Sequence, residues 1–349
     1  MTLIALIVVI VATLVVMSRV VDGYFVPALE AIAEKWKLSY EAAGATLMAM
    51  GSSAPELFVA LIAILKPGDH EAIGVGAIVG SALFNILVII GISAMVQRAV
   101  VSWQPVIRDS FFYIAAVGIL LFTFQDGVIT LVEAVGYVLV YIVYVIAVLH
   151  WQRLFGYEDK VTEVESSKEE GNHFVDRVYK QIDAVADRVF LSKTYHYTNF
   201  FIAIVFIALL SWMLVEAAIE IAHILDIPEV IIALTVIAIG TSISDLLSSV
   251  AAARRGRGGM AISNAIGSNI FDILIGLGLP WLILLAFSGG DILQIDRTNL
   301  LSSIFLLFAT VLVILFLLLM RRWEIGRRTG VFLVALYVAY LVWVVMQTI

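Results

Sequence analysis

The chain has 349 residues, 62% of them apolar and 14% charged, with a net charge of −7 and no cysteine. Soluble globular domains carry roughly a quarter charged residues, so this composition excludes a water-soluble protein of that size. The missing thiols exclude disulfide frameworks and thiolate metal sites.

Apolar stretches of about 20 residues, the length that crosses a 30 Å hydrocarbon slab, alternate with short polar connectors. They predict ten spans, at roughly 3–21, 42–65, 71–97, 107–124, 128–149, 199–222, 229–253, 259–287, 299–320 and 329–348. Met1 to Met17 has no basic residue ahead of it and no cleavage signature, so it reads as the first span rather than a removable signal. The fold class expected is an all-α membrane protein, with a first five-helix half at 1–149 and a second at 199–349. Between them, the loop 150–198 is acidic in its first half (Glu158, Asp159, Glu163, Glu165, Glu169, Glu170). Its second half places Phe174, Val178, Ile182, Val185 and Val189 at helical spacing, which predicts an amphipathic helix on the membrane surface.

If the N-terminus lies outside, 19 of the 21 basic residues fall on internal connectors, Arg19, Arg98, Arg108 and Arg321 among them. Only Lys66 and Arg297 are left outside. The positive-inside rule then predicts a multi-pass cell-membrane protein with both termini outside and the loop 150–198 in the cytoplasm. Glu133, Glu216 and Glu220, near outer span ends, are expected to be solvated or to line a vestibule, and Asp126 to lie in a loop.

The chain also repeats itself. Gly51-Ser52-Ser53-Ala54-Pro55-Glu56 recurs 189 positions later as Gly240-Thr241-Ser242-Ile243-Ser244-Asp245. Gly80-Ser81-Ala82-Leu83-Phe84-Asn85 recurs 187 positions later as Gly267-Ser268-Asn269-Ile270-Phe271-Asp272. The motifs occupy 51–85 and 240–272, and an odd number of spans per half turns the second copy upside down relative to the first. Inverted repeats of this kind meet at the bilayer midplane through broken helices. Glu56, Asp245, Asn85 and Asp272 each lie about 14 to 16 residues into a span, so at 1.5 Å per residue they fall in one mid-depth layer.

An ionised carboxylate at that depth costs about 3 kcal/mol on insertion scales, and no Lys or Arg lies there to offset it. A cation is the natural partner. The ligands on offer are all oxygens, from Glu56, Asp245, Asp272, the Asn85 amide and the hydroxyls of Ser52, Ser53, Ser81, Thr241, Ser242 and Ser268. Oxygen-only coordination suits hard cations such as Ca²⁺ and Na⁺. Packing is the competing role for the small residues, which let membrane helices approach closely. A serine-protease reading needs a base near Ser52 or Ser53, yet His70, His150, His173, His196 and His223 all fall in loops or at span ends. An ion channel would hold the same residues but show conductance without obligatory exchange.

At these motifs the sequence resembles the calcium/cation antiporters, which include the sodium/calcium exchangers. Phe25-Val26-Pro27-Ala28-Leu29 through Glu56-Leu57-Phe58, and Ala253-Arg254-Arg255-Gly256 through Asp272 and Pro280-Trp281, look most like the potassium-dependent branch. The resemblance implies an antiporter, not an enzyme, exchanging Na⁺ for Ca²⁺ by alternating access, with H⁺-coupled Ca²⁺ antiport as the alternative. It implies that Glu56 and Asp245 are the main Ca²⁺ carboxylates, with Asn85 and Asp272 beside them and the six hydroxyls forming Na⁺ sites. An acid at Asp272 is linked to K⁺ in that branch, although it does not by itself establish K⁺ coupling. No cofactor is implied, only the transported ions, and no nucleic acid; the partner is the lipid bilayer. The first and sixth spans, lacking mid-membrane charge, would slide across the repeat core. Ser244 stands where the family has proline, which is expected to alter the helix break near Asp245.

Overall fold

A computed structural model describes residues 2–35, 49–68, 70–156, 173–186, 188–192, 195–254, 256, 258–288, 292–295 and 300–346. Lys37, Arg255, Arg257, Arg297, the start of the second span and the acidic stretch Glu158 to Glu170 lie outside the described residues. Nine helices among the described residues are long and apolar enough to cross a membrane, and the shorter Ala54–Leu65 supplies the described part of a tenth. The chain is an all-α membrane protein of two five-helix halves.

Two of these helices, Leu3–Ile32 and His196–Leu225, have 30 residues each, well beyond the roughly 20 a bilayer requires. They hold equivalent places in the two halves. The first does not end near residue 21 as its hydropathy predicts; it continues through a π-helical turn, Val21–Phe25, into Val26–Lys35. Its polar residues are satisfied within the helix and against the loop, so nothing forces the chain to stop. Ser18 Oγ donates to Asp22 Oδ2 at 3.3 Å, and the Arg19 guanidinium makes two bonds to Asp183, at 2.6 and 2.7 Å.

A second boundary also differs. The fourth span starts at Trp103, so Arg108 is not a connector residue but is buried in the helix Trp103–Thr123. Its Nε donates to Asp109 Oδ1 at 2.7 Å, and Tyr144 donates to the same oxygen at 3.3 Å. A guanidinium persists inside a bilayer when paired in this way. The charge asymmetry of the sequence therefore rests on the other connector cations.

Four short strands expose the inverted symmetry. Ala99–Val100, between the third and fourth spans, pairs antiparallel with Glu324–Ile325, between the ninth and tenth. Val128–Thr130, between the fourth and fifth, pairs with Ile292–Gln294, between the eighth and ninth. Each clasp joins one connector from each half, and the two exchange roles under a pseudo-two-fold axis. The core repeats the pattern. Phe84 meets Tyr337 edge-to-face with centroids 5.5 Å apart, and Phe271, 187 positions on, meets Tyr141 in the same way at 5.5 Å. Gly91 lies so close to the tenth span that a Cβ would sit 2.9 Å from the Gly330 carbonyl oxygen. Its equivalent, Gly278, would bring a Cβ to 2.6 Å from Tyr137 Cβ on the fifth. Small residues at such crossings let membrane helices gain van der Waals contact where no hydrophobic drive is available.

Around the rim, acids near span ends are engaged. Thr130 and Glu133 form a capping box, with Glu133 Oε2 accepting from Thr130 N at 2.8 Å and Thr130 Oγ1 accepting from Glu133 N at 3.2 Å. Lys66 is ion-paired with Glu216, and His70 Nδ1 lies 2.8 Å from Glu229. Asp126 caps its turn by accepting from Val128 N at 3.0 Å.

The central loop carries a helix at His173–Ala186. Asp183 ties it to Arg19, and Phe190, just beyond, stacks on Tyr24 with centroids 4.0 Å apart. Phe190 also joins an apolar cluster with Val20, Phe25, Ala203 and Ile207. These protein contacts tie the segment to the first and sixth spans.

Candidate functional site

Both halves break a helix at the same point of the motif. Ala49–Ser52 and Ala54–Leu65 are separated at Ser53 (φ −91°, ψ 8°), and Ala238–Thr241 and Ile243–Arg254 at Ser242 (φ −85°, ψ 6°). This bridge region of the backbone map is sparsely occupied and recurs at active sites. Pro55 follows the first break and Ser244 the second, yet the dihedral angles agree within 6° in φ and 2° in ψ. The missing proline therefore does not alter the break. The turn is made two residues earlier, and at a helix start the N–H that proline lacks has no intrahelical partner in any case.

The third and eighth spans add a second irregularity. A π-helical turn begins at Asn85 (Asn85–Ile89) and another at Asp272 (Asp272–Leu277). Such turns are rare and concentrate at functional sites, because the widened ladder frees backbone groups and re-aims side chains. Gly80 lets the third span reach the seventh, since a Cβ there would lie 2.4 Å from the Leu234 carbonyl oxygen.

These elements bring the predicted residues together. Glu56, Asn85, Asp245, Asp272, Ser53, Ser81, Thr241, Ser242 and Ser268 are all buried; Ser52 is half-buried. Each carboxylate meets hydroxyls of the opposite repeat. Ser242 Oγ lies 3.4 Å from Glu56 Oε1, with Thr241 also in reach. Ser52, the equivalent of Thr241, interacts with Asp245. Ser53, the equivalent of Ser242, faces Asp272 without closing a hydrogen bond to it. Ser81, Thr241 and Ser268 donate to carbonyls of their own helices, of Ile78 at 3.0 Å, Ile237 at 3.1 Å and Ala265 at 3.4 Å. The oxygens of Ser81 and Thr241 keep their lone pairs, whereas Ser268 Oγ also accepts from Asn85 Nδ2 at 3.4 Å.

One group that motif reading passed over organises the amides. Asn269 Nδ2 donates to the Ala82 carbonyl at 3.0 Å and to Tyr113 OH at 2.9 Å. Asn85 Nδ2 in turn donates to Asn269 Oδ1 at 2.8 Å. With its nitrogen held, Asn85 presents its oxygen, which is buried and unpartnered. The only sign in the sequence is that Asn269 is polar where the first repeat has Ala82. Asn264, which reaches Asp245 and lies 3.4 Å from Ser249 Oγ, and the buried Ser244 hydroxyl were likewise not legible as site groups.

Seven buried oxygen atoms here have no hydrogen-bond partner: Ser53 Oγ, Glu56 Oε2, Asn85 Oδ1, Ser244 Oγ, Asp245 Oδ1 and both oxygens of Asp272. The three carboxylates act on one another electrostatically, and none of them is ion-paired among the described residues. Among those residues no three His, Asp or Glu side chains close into a preformed cage. Hydroxyl and amide oxygens must therefore complete any coordination sphere.

A family profile described as "Sodium/calcium exchanger protein" matches residues 3–150 and 196–346. The chain belongs to the sodium/calcium exchanger family. Among the relatives of this exchanger is sodium/potassium/calcium exchanger 4 of Mus musculus, 26% identical over 95% of this chain and 79% of that protein. Sodium/potassium/calcium exchanger 5 of Homo sapiens is 29% identical over 90% and 77%. Of solved structures, the sodium-calcium exchanger NCX_Mj is 25% identical with a TM-score of 0.60, covering 98% of this chain and 99% of that one. The H⁺/Ca²⁺ exchanger CAX superposes with a TM-score of 0.71 over 98% and 82%. At 15% identity, that likeness speaks for the fold alone.

Proposed function

We propose that this exchanger is a secondary active antiporter that moves Ca²⁺ against Na⁺ through one mid-membrane site. The observation that carries this is the set of seven orphaned, buried oxygens in a layer that holds no protein cation among the described residues. Each such oxygen is costly to leave unpaired, and a hard cation satisfies six to eight of them at once. Glu56 and Asp245 supply the main charge for Ca²⁺, with Asn85 and Asp272 beside them. Ser52, Ser53, Ser81, Thr241, Ser242 and Ser268 supply the neutral oxygens that Na⁺ needs. The family match and the sodium/potassium/calcium exchanger relatives favour Na⁺ over H⁺ as the coupling ion. Shared oxygens make the two occupancies exclusive, so binding one ion expels the other.

Access would switch by sliding of the first and sixth spans. Leu6, Ile10 and Leu14 of the first span pack with Val59, Ile73, Leu214, Ile232 and Ile237, sealing the end that charge asymmetry assigns to the outside. Leu14 lies against Gly240, where a Cβ would sit 2.1 Å from its methyl carbon. Towards the opposite end Asp22 and Ser248 are exposed and Ser52 half-buried, a polar route to Asp245. In this orientation both termini lie outside and the loop 150–198 lies in the cytoplasm. Net charge moved per cycle would couple transport to voltage at about 2.3 kcal/mol per charge per 100 mV. The test is Na⁺-gradient-driven ⁴⁵Ca uptake into proteoliposomes. Glu56→Gln and Asp245→Asn are each expected to abolish it, and uptake intact in both would refute the assignment.

A further inference from the structure

We propose that the turn between the ninth and tenth spans is a binding site for the phosphate group of an anionic phospholipid of the cytoplasmic leaflet. A cavity of about 270 Å³ opens there, lined by Arg98, Arg321, Glu324, Arg327, Arg328 and Thr329. Arg98 and Glu324 are ion-paired and neutralise each other. Arg321, Arg327 and Arg328 have no acidic partner among the described residues, which leaves three guanidinium forks converging on one hollow.

The positive-inside rule places arginines on this connector but does not choose the positions they take along it. Arg321 follows the C-terminus of Leu300–Met320, where a cation is favourable. Arg327 and Arg328, however, occupy the first turn of the 20-residue helix Arg327–Met346, which contains no acid. The partial positive charge of a helix N-terminus opposes cations there and favours an anion. The turn is also built rather than loose. Arg322 (φ 52°) and Trp323 (φ 69°) both adopt the left-handed conformation that side chains disfavour. The turn is pinned by Trp323 N to Leu318 O at 2.8 Å and Val101 N to Trp323 O at 3.0 Å, and by the clasp that pairs Val100 with Glu324. Strain maintained at a site by its surroundings is a mark of function.

Depth selects the ligand. The pocket lies where two membrane helices end and the next begins, beside the half-buried Trp323, a residue type that settles at headgroup level. Arginine forks grip phosphate oxygens two at a time. On the orientation proposed above, this end faces the leaflet rich in anionic lipid. The inference rests on that orientation but not on which ions are exchanged.

The test is native mass spectrometry of the detergent-purified exchanger titrated with phosphatidylglycerol, phosphatidylcholine or inorganic phosphate. One phosphatidylglycerol is expected to be retained, with phosphatidylcholine and inorganic phosphate both weak. Each arginine contributes roughly a fivefold factor at a membrane surface, so the triple variant Arg321→Gln/Arg327→Gln/Arg328→Gln should bind about a hundredfold more weakly. Arg322→Gln, on the same turn but outside the cavity, should bind within twofold of the wild type. Retained ⁴⁵Ca uptake by the triple variant would show that it is folded. Equal lipid retention by triple variant and wild type would overturn the proposal, as would inorganic phosphate competing on equal terms with the lipid.

Discussion

Replacing Asn269 with alanine removes three hydrogen bonds that do different things. The bonds to the Ala82 carbonyl and to Tyr113 OH hold the eighth span against the third and fourth. The bond from Asn85 Nδ2, at 2.8 Å, is the shorter of two that hold the Asn85 nitrogen and leave its oxygen to the proposed ion site, the other going to Ser268 Oγ at 3.4 Å. Buried neutral hydrogen bonds contribute about 1 kcal/mol each. Asn269→Ala should therefore lose ~2–3 kcal/mol of stability, and releasing Asn85 should weaken half-saturation by Ca²⁺ about fivefold. Tyr113→Phe separates the two effects. It removes a partner of Asn269 without touching Asn85, so it should cost about 1 kcal/mol and leave Ca²⁺ affinity within about twofold. The assay is the Ca²⁺ dependence of Na⁺-driven uptake in proteoliposomes, beside the thermal midpoint of each variant. The reasoning fails if Asn269→Ala keeps wild-type Ca²⁺ affinity, or if Tyr113→Phe shifts it equally.

Gly80→Val should cost at least ~3 kcal/mol, because the added carbons meet the backbone of Leu234 rather than a flexible side chain. Gly118→Ala, with nothing within 4 Å of the added carbon, should instead be neutral or gain up to about 1 kcal/mol in thermal or denaturant unfolding. Ser244→Pro should preserve the break at Ser242 and sustain transport, while weakening Na⁺ or Ca²⁺ half-saturation to the same extent as Ser244→Ala; collapse of transport in the proline variant alone would show that the break depends on serine. Asp272→Asn removes a carboxylate with two unpartnered oxygens. Exchange measured with and without K⁺ should lose any K⁺ stimulation in that variant, and K⁺ stimulation that survives would release Asp272 from the role.

The spans and the acidic layer were legible because a bilayer penalises polar side chains so heavily that Glu56, Asp245 and Asp272 mark function on their own. Their doubling at spacings of 189 and 187 also carried the inverted relation, which the two clasps then exhibit in three dimensions. What escaped sequence reasoning depends on contacts between distant segments. The end of the first span was misplaced because hydropathy falls at Asp22 and Gly23, whereas Ser18 and the loop residue Asp183 satisfy the polar groups and the helix continues. Arg108 looked like a connector cation because its partners, Asp109 and Tyr144, are close only once the fourth and fifth spans pack. Asn269 occupies a motif position at which the two copies differ, and its meaning comes from Asn85, 184 residues away. The break at Ser242 shows that the fold, not proline, sets the turn.

The choice between sodium and proton as coupling ion bears most directly on the central claim that Na⁺ and Ca²⁺ compete for one mid-membrane site. Uptake of ⁴⁵Ca should be measured in proteoliposomes under an imposed Na⁺ gradient at equal pH, and under an imposed pH gradient without sodium. The account predicts uptake in the first condition, lost in Glu56→Gln and Asp245→Asn, and none above leak in the second. Uptake driven by the pH gradient alone, with none driven by sodium, would contradict it.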